Sequence, residues 1–324
     1  MTPQPIRVGV VGVGSMGRHH VRVYSELPGA DLVGVADADV RKAAEVAAEF
    51  GTTTYTQADL LDRVDAVSIA VPTEHHHAVA RAALLAGVHV LVEKPFVADY
   101  SEGRDLVALA RELDLVIQVG HIERFNPAVV ALRDVVTDLD VIAVEAQRLG
   151  PPLDRYVGDS VALDLMIHDI DVLVSLVDSP VVDVCAEVAR DDQHITAMLR
   201  FENGTLGTLT ASRVTQQKVR QLSVTATECR VNVDYIAQSI EIHRSSMPEY
   251  VETDDSIRFR NASVVERPTV ENGEPLKHEL SAFLEAVREG TEPVVTAEDG
   301  LRALEIARRV DEAAKERRPL TLNP

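Results

Sequence analysis

Two groups of residues in this chain have the types and spacing needed for acid–base chemistry. Lys94 follows the apolar run 88–92, and Asp164 stands four residues before His168 in an apolar segment. A lysine at the end of a buried strand can hydrogen-bond a substrate hydroxyl and, when neutral, take its proton. A histidine one helical turn from a carboxylate is an acid–base pair, because the carboxylate orients the imidazole and stabilises its protonated form.

Each group also has a structural interpretation. Lys94 could be a surface lysine paired with Glu93, and His168 could be satisfied inside the core or belong to a charge pair at a helix end. The chain has five lysines among 32 basic residues, and this scarcity favours a functional Lys94. Asp164, His168 and Asp171 have i, i+4 and i+7 spacing, so we expect them on one helix face. Burying such a polar face without partners would be costly.

A metal site is less well supported by the residue pattern. His121, Asp164 and His168 are ligand types that divalent metals accept. No cysteine cluster or His-Glu-x-x-His pattern accompanies them, and the consecutive histidines at 75–77 point in different directions along a helix. We therefore expect no metal.

A glycine pattern near the start of the chain is suited to holding a pyrophosphate. Gly12-x-Gly14-x-x-Gly17 follows the apolar run 6–11 and opens a helical pattern. Asp37 ends the next apolar run, twenty residues after Gly17, where a carboxylate can accept hydrogen bonds from an adenosine ribose. The alternative is a glycine-rich turn with no ligand. The negative charge of Asp37 would repel a 2′-phosphate, so the pattern predicts NAD rather than NADP.

Alternating strand and helix patterns fill the first 120 residues, which predicts a doubly wound parallel sheet of the Rossmann type. The predicted strands are 6–11, 31–37, 65–71, 88–92 and 115–120, with a short strand at 53–55. The predicted helices are 15–27, 39–50, 74–86 and 99–113, with a short one after residue 55. Asp99 and Glu102 have the spacing of a capping box at the start of the last helix.

After residue 120 the pattern changes to one typical of an α+β domain with a large, mainly antiparallel sheet. Period-two runs cover 181–190, 194–201, 205–213, 219–227 and 229–236, and helical patterns cover 127–136, 160–177, 276–289 and 297–316. Asn203-Gly204 predicts a hairpin turn, and 245–275 is interpreted as loop or sheet edge. We predict an α/β protein with an NAD-binding domain at 1–120 and a substrate-binding and oligomerisation domain at 121–324. We expect a cleft between these domains, at the carboxyl ends of the parallel strands.

The charge balance excludes some partners. The 324 residues include 52 acidic and 32 basic side chains, for a net charge of −20, and no tryptophan. Such a charge repels nucleic acid and anionic membranes. The acidic, lysine-poor composition resembles that of halophilic archaeal proteins, with an ordinary acidic cytosolic enzyme as the alternative. No run of eighteen apolar residues, no secretory signal and no disulfide framework is visible, so we expect a cytoplasmic protein.

These motifs, in this order, resemble the glucose–fructose oxidoreductase/inositol dehydrogenase (Gfo/Idh/MocA) family over nearly the whole chain. The matching pieces are the glycine pattern with Asp37, Val71-Pro72-Thr73 with His76, Glu93-Lys94-Pro95, and Asp164-x-x-x-His168. The resemblance implies acid–base and orienting roles for Lys94, Asp164 and His168, and dimers or tetramers built through the face of the C-terminal sheet. The cofactor contacts it implies are Gly12, Gly14, Ser15, Met16, Gly17, Asp37, Arg41, Val71, Pro72, Thr73, His76, Glu93 and Lys94.

Segments 119–127, 148–151 and 168–171 also resemble a subgroup of this family that is assigned to UDP-N-acetylglucosamine 3-dehydrogenation. The substrate contacts expected from this resemblance are Lys94, His121, Arg124, Arg148, Asp164 and His168. Arg124 and Arg148 suit a diphosphate or carboxylate, with salt bridges to this acidic protein as the alternative. The expected function is oxidation of a ring secondary alcohol of a sugar or nucleotide sugar. The alternatives are a dehydrogenase of inositol or free glucose and a non-catalytic NAD-binding regulator.

Overall fold

The chain forms two compact units. The computed structural model describes residues 4–152, 159–190, 192–245, 249–253, 256–260 and 263–316. The first unit comprises Met1–Phe125 with Gly273–Glu305, and the second comprises Asn126–Asn272 with Ile306–Pro324. A late segment thus packs with the first unit, which the predicted division at residue 120 did not include. The functional assignment of 1–120 and 121–324 stays a prediction.

A six-stranded sheet forms the first unit, and all its neighbouring strands are parallel. Its strands are β1 (Ile6–Val11), β2 (Ala30–Ala36), β3 (Thr53–Thr54), β4 (Ala66–Ile69), β5 (His89–Glu93) and β6 (Ile117–Gly120). The order β3-β2-β1-β4-β5-β6 reverses direction at β1 and confirms the predicted doubly wound sheet. Ligands bind such sheets at the carboxyl ends of the strands beside the reversal.

Helices connect these strands close to the predicted positions. They are α1 (Ser15–Glu26), α2 (Val40–Phe50), α3 (Gln57–Leu61), α4 (His76–Leu85) and α5 (Tyr100–Leu113). The predicted capping box is present: the Ser101 N–H donates to Asp99, and the Glu102 side chain accepts from the Asp99 N–H. The helix therefore begins where these residues predicted.

An eight-stranded sheet forms the second unit and is mainly antiparallel. Its order is β16-β13-β12-β11-β7-β10-β9-β8, and β7 and β10 are its parallel pair. After α6 (Pro127–Val136) come β7 (Val141–Leu149) and α7 (Ile167–Leu176). The strands that follow are β8 (Val181–Ala189), β9 (His194–Phe201), β10 (Leu206–Ser212), β11 (Val219–Ala226), β12 (Arg230–Asp234), β13 (Ser239–Ser245), β14 (Glu249–Thr253), β15 (Ser256–Arg260) and β16 (Ser263–Glu266).

Two helices follow, α8 (Pro275–Glu289) and α9 (Ala297–Glu316), as predicted. Leu276, Leu280 and Phe283 on α8 join the hydrophobic core of the first unit, together with Val10 and Tyr24. This burial explains why the chain returns to the first unit after the second sheet. No helix in the described ranges is long and apolar enough to cross a membrane.

The structure departs from the sequence prediction at three places. β7 and β13 were not predicted, although β7 alternates between buried and exposed residues. The segment 160–177 is not one regular helix, because residues 162–166 form a π-turn in which the Ile167 N–H donates to the carbonyl of Ala162. Apolar residues occur on nearly all sides of this segment, so the spacing of its apolar residues does not show that one turn contains an additional residue. The predicted sheet edge within 245–275 contains β16, which is an edge strand.

Candidate active site

The glycine loop between β1 and α1 has room for backbone only. Gly12 has φ +87°, and a Cβ there would lie 2.7 Å from the backbone of Ala70 and Val71. A Cβ on Gly17 would lie 1.8 Å from the Gly12 carbonyl oxygen. This close packing brings the N-terminus of α1, with Ser15 and Met16 in its first turn, next to the loop. Free backbone N–H groups at a helix start attract phosphate, so the loop fits a dinucleotide.

Asp37 is held in place at the carboxyl end of β2. Its two carboxylate oxygens accept hydrogen bonds from the N–H groups of Val13 (2.7 Å) and Asp39 (2.8 Å). Each oxygen keeps a second lone pair, because a carboxylate can accept about four hydrogen bonds. Asp37 also lines a cavity of about 1040 Å³ beside the glycine loop. The carboxylate is therefore oriented toward the space where a ribose would bind.

The same cavity contains some of the predicted cofactor residues and several that were not predicted. Gly12, Gly14, Asp37, Val71 and Pro72 line it, whereas the exposed Arg41 does not. Lys42 lines it instead, with its Nζ 3.8 Å from the position of a Cβ on Gly14. The lining residues that sequence reasoning missed include Lys42, Tyr55, Thr56, Gln57, His75 and Val79. Lys42 lies on α2, five residues after Asp37, and this short distance from Asp37 was the feature of the sequence that could have indicated a cofactor contact.

His76 is buried and contacts the backbone of two loops. Its Nε2 lies 2.9 Å from the Val71 carbonyl oxygen, and its Nδ1 lies 2.9 Å from that of Pro95. Burial lowers the pKa of His76 against the opposing effect of these carbonyls. Both ring nitrogens thus face backbone carbonyls, and the neutral ring can donate to one of them, so His76 packs between the Val71 and Pro95 loops. Its predicted contact with the cofactor stays a prediction, as does that of Thr73.

Lys94 and His121 follow neighbouring strands. Glu93 pairs with Gly120 in the β5–β6 register, so Lys94 and His121 each come one residue after a paired position. His121 is 1% exposed, and neither ring nitrogen has a hydrogen-bond partner among the residues that the structure describes. Burial, with the charges of Arg124 and Lys94, lowers the pKa of His121 to about 3. His121 is therefore a neutral imidazole that can both donate and accept a hydrogen bond.

The two predicted phosphate-binding arginines are buried and form ion pairs. Arg124 is 5% exposed and lies 3.3 Å from Asp299. Arg148 donates from Nε and Nη2 to the two oxygens of Asp169, at 2.6 and 2.9 Å, and its guanidinium lies 5.5 Å from the Tyr235 ring centroid. Both sides of this second pair are buried. The structure favours the salt-bridge alternative for both arginines, and sequence reasoning missed Asp169, Tyr235 and Asp299 as their partners.

Asp164 and His168 belong to the second unit. Arg213 donates to Asp164 Oδ2 at 2.8 Å and to the Asp159 carbonyl at 3.1 Å. Asp164 lies inside the π-turn, whereas His168 is half-buried in the first turn of α7. The expectation of one regular helix face is wrong, because the π-turn adds a residue between the faces. That Asp164 orients His168 stays a prediction.

Comparison with known proteins identifies the family. Residues 6–121 match the NAD-binding Rossmann domain of the Gfo/Idh/MocA oxidoreductases, and residues 141–232 match the C-terminal domain of the same family. The UDP-N-acetylglucosamine 3-dehydrogenase of Acidithiobacillus ferrooxidans is 39% identical over 243 residues, covering 74% of this chain and 77% of that protein. The chain belongs to the Gfo/Idh/MocA oxidoreductase family.

Two further similarities extend this result. A crystal form of the Acidithiobacillus ferrooxidans enzyme superimposes with a TM-score of 0.88 at 34% identity, covering 97% of this chain and 99% of that one. The inositol 2-dehydrogenase of Corynebacterium glutamicum strain ATCC 13032 is 32% identical over 219 residues, which is 62% of this chain and 65% of that protein. The family, the fold and the dehydrogenase class predicted from sequence are confirmed.

Proposed function

We propose that this protein oxidises a ring secondary alcohol of UDP-N-acetylglucosamine or a close nucleotide sugar to a ketone, with NAD as the hydride acceptor. The observation that carries the proposal is the similarity to a UDP-N-acetylglucosamine 3-dehydrogenase over 97% of the chain at a TM-score of 0.88. The inositol 2-dehydrogenase of Corynebacterium glutamicum is less similar, at 32% identity against 39%, so a polyol substrate is the second candidate.

NAD is proposed over NADP because of Asp37. Its carboxylate is fixed by the N–H groups of Val13 and Asp39, and its remaining lone pairs suit the two hydroxyls of an adenosine ribose. A 2′-phosphate would place negative charge against this carboxylate. Gly12, Gly14 and the first turn of α1 would hold the pyrophosphate, and Lys42 would add a positive charge nearby. When bound, NAD supplies the hydride acceptor.

The proton of the substrate hydroxyl would pass to Lys94 Nζ. A ring alcohol is a very weak acid, so a positioned base is needed as the hydride leaves, and such a base contributes roughly 10²–10⁴-fold to the rate. His121 follows the neighbouring strand and remains neutral, so its ring nitrogens suit a second substrate hydroxyl. His168 is proposed to share the proton work, with Asp164 fixing its orientation.

The substrate is tested by a panel followed by NADH absorbance. UDP-N-acetylglucosamine, UDP-glucose, glucose and myo-inositol are each supplied with NAD and with NADP, in about 2 M KCl. We expect the highest kcat/KM with UDP-N-acetylglucosamine and NAD. A higher value for myo-inositol or glucose would reject the nucleotide sugar and leave the dehydrogenase assignment in place.

The roles of Lys94 and His168 are tested by substitution. Lys94→Met and His168→Ala should each lower kcat at least ~100-fold with little change in NAD affinity, since neither residue is proposed to hold the phosphates. Lys218→Met is the matched control, because Lys218 is exposed. Activity within about threefold of wild type would remove the substituted residue from the mechanism.

A further inference from the structure

Three buried ionisable side chains converge next to Lys94 from three elements of the first unit. His20 on α1 and Glu279 on α8 are fully buried, and Glu93 at the end of β5 is 7% exposed. The His20 nitrogen and the two carboxylate oxygens lie within 4.8 Å of one another. Two carboxylates in such a dry site are costly unless they are paired or share a proton. The cofactor cavity and the proposed substrate contacts do not include His20 or Glu279.

Glu93 connects this cluster to the backbone of Lys94. Its Oε1 lies 2.9 Å from His20 Nε2, and its Oε2 accepts the Lys94 N–H at 3.2 Å. Burial raises the pKa of Glu93, but the hydrogen bond with His20, the charge of the His20 ring and the charge of Lys94 outweigh it, so the net shift is downward. Glu93 is therefore ionised and holds the peptide that carries the lysine.

The neighbouring strand leaves space for this carboxylate. A Cβ on Gly120 would lie 3.1 Å from the Cα, Cδ and Oε1 of Glu93, which is tighter than ordinary contact. Two residues earlier on β6, the side-chain amide of Gln118 donates to the Glu279 carbonyl oxygen at 3.4 Å. The strand β6 therefore makes room for Glu93 and also contacts the segment of α8 that carries Glu279.

Glu279 lies on the face of α8 that packs into the core. Leu276, Leu280 and Phe283 on the same helix are buried in the hydrophobic core of the first unit. A leucine at 279 would satisfy packing alone, without the cost of removing a carboxyl group from water. The position of Glu279 within 4.8 Å of His20 and Glu93 gives this carboxyl a reason to be there.

We propose that His20 and Glu279 are positioning residues for Lys94, and that with Glu93 they form a network holding one shared proton and one net negative charge beside the lysine. The inference rests on the proposed role of Lys94 as proton acceptor. Two carboxylates this close in a dry site cannot both remain ionised unless the cluster also holds a proton, so the three side chains hold one proton among them. His20 Nδ1 has no hydrogen-bond partner among the residues described, so the ring contacts the network through Nε2, which faces Glu93.

The effect of the network on the pH dependence of kcat depends on the charged and titratable groups around it. Lys94, His76 and His121 interact electrostatically with Glu93, and Glu279 interacts with Tyr24 on α1. Burial keeps both of these histidines neutral, and it keeps Tyr24 protonated. Lys94 is thus the cation that the network stabilises. A carboxylate charge this close favours the ammonium form of Lys94, and a variant that loses the charge loses that stabilisation.

The experiment compares His20→Asn with His20→Gln. Glutamine reaches far enough to donate to Glu93 in place of Nε2, whereas asparagine is one methylene shorter. We expect His20→Asn to lower kcat about tenfold, with NAD affinity and KM within about twofold. We also expect the rising limb of the kcat pH profile, which reports neutral Lys94, to move down by about one pH unit. His20→Gln should recover most of kcat and restore the limb.

Two further variants test the other members. Gly120→Ala crowds the Glu93 carboxylate without changing an ionisable group, and it should move the limb in the same direction as His20→Asn. Glu279→Gln keeps a neutral hydrogen-bonding group, so it should move the limb much less. An equal shift in Glu279→Gln would mean that Glu279 is ionised, which overturns the shared proton.

Other outcomes overturn the network itself. The network is rejected if the rising limb of the kcat pH profile does not move in either His20→Asn or Gly120→Ala. It is also rejected if kcat of His20→Gln is no higher than kcat of His20→Asn. A stoichiometric metal ion in the purified protein that is lost from His20→Asn would replace the network by a metal site. The proposed function fails separately, through an active Lys94→Met. An inactive Lys94→Met with an unmoved limb in His20→Asn would reject only the network.

Discussion

His121 should make the protein sensitive to mild acid. Burial and the charges of Arg124 and Lys94 lower its pKa from the ordinary 6.5 to about 3 in the folded chain. Between these two values the unfolded chain binds a proton on His121 that the folded chain does not bind. Stability therefore rises with pH through this window, is fully present above 6.5 and is lost as the pH falls below it.

The expected size follows from the two pKa values. For 6.5 unfolded and about 3 folded, the free energy of unfolding should fall by about 2 kcal/mol between about pH 7 and about pH 5 from this group alone. The measurement is denaturant unfolding of the cofactor-free protein at both pH values. His121→Asn should remove about 2 kcal/mol of the pH dependence, because asparagine does not titrate there.

A control variant tests whether the pH dependence of stability comes from His121 or from any histidine. His19 is exposed, so His19→Asn should keep the wild-type pH dependence. Comparing each variant with itself at two pH values cancels any loss of packing common to both. An identical fall in stability for wild type and His121→Asn would refute the buried, neutral imidazole.

Three more predictions follow from the charges of the chain. Asp37→Ser should narrow the ratio of kcat/KM with NAD to that with NADP; equal or better use of NADP by the unmodified protein would contradict the role of Asp37. Asp169→Asn should lower the free energy of unfolding by about 3–5 kcal/mol, because it removes the carboxylate charge that faces the buried Arg148 guanidinium. Asp183→Asn, in an exposed pair with Arg200, should cost less than about 1 kcal/mol. Because of the net charge of −20, the melting temperature should rise steeply from dilute buffer to ~2 M KCl, and a flat response would indicate an ordinary acidic protein.

The cofactor half of the site was readable from sequence because local residues determine it. Gly12 and Gly17 are required by contacts within one strand–turn–helix unit, and Asp37 ends the next strand of the same sheet. The crossover between two parallel strands is nearly always right-handed, so the spacing of these residues along the chain determines where they lie in the fold. Spacing did not distinguish Arg41 from Lys42, because the two are adjacent on α2 and only the helix phase shows that Lys42 lines the cavity.

The partners of the remaining ionisable residues could not be predicted, because they come from distant parts of the chain. Asp299 and Glu279 lie on helices that follow the second sheet, yet Asp299 pairs with Arg124 and Glu279 lies near His20 and Glu93 in the first 125 residues. Arg213 meets Asp164 because β10 ends near the π-turn, and that turn has no period of its own in an apolar segment. Sequence spacing gives neighbours on one element, whereas these contacts depend on how elements pack.

Whether a buried charged or polar residue already has hydrogen-bond partners distinguishes stabilising residues from ligand-binding candidates better than its residue type does. Arg148 and Asp169 satisfy each other with two hydrogen bonds, so this pair has little left for a ligand and is assigned to stability. His121 is equally buried, but its ring nitrogens meet no partner in the part of the chain described here. A buried polar group without a partner costs about 1–3 kcal/mol. A substrate hydroxyl that meets His121 would remove that cost, which is a physical reason to expect the substrate beside His121 and not beside Arg148.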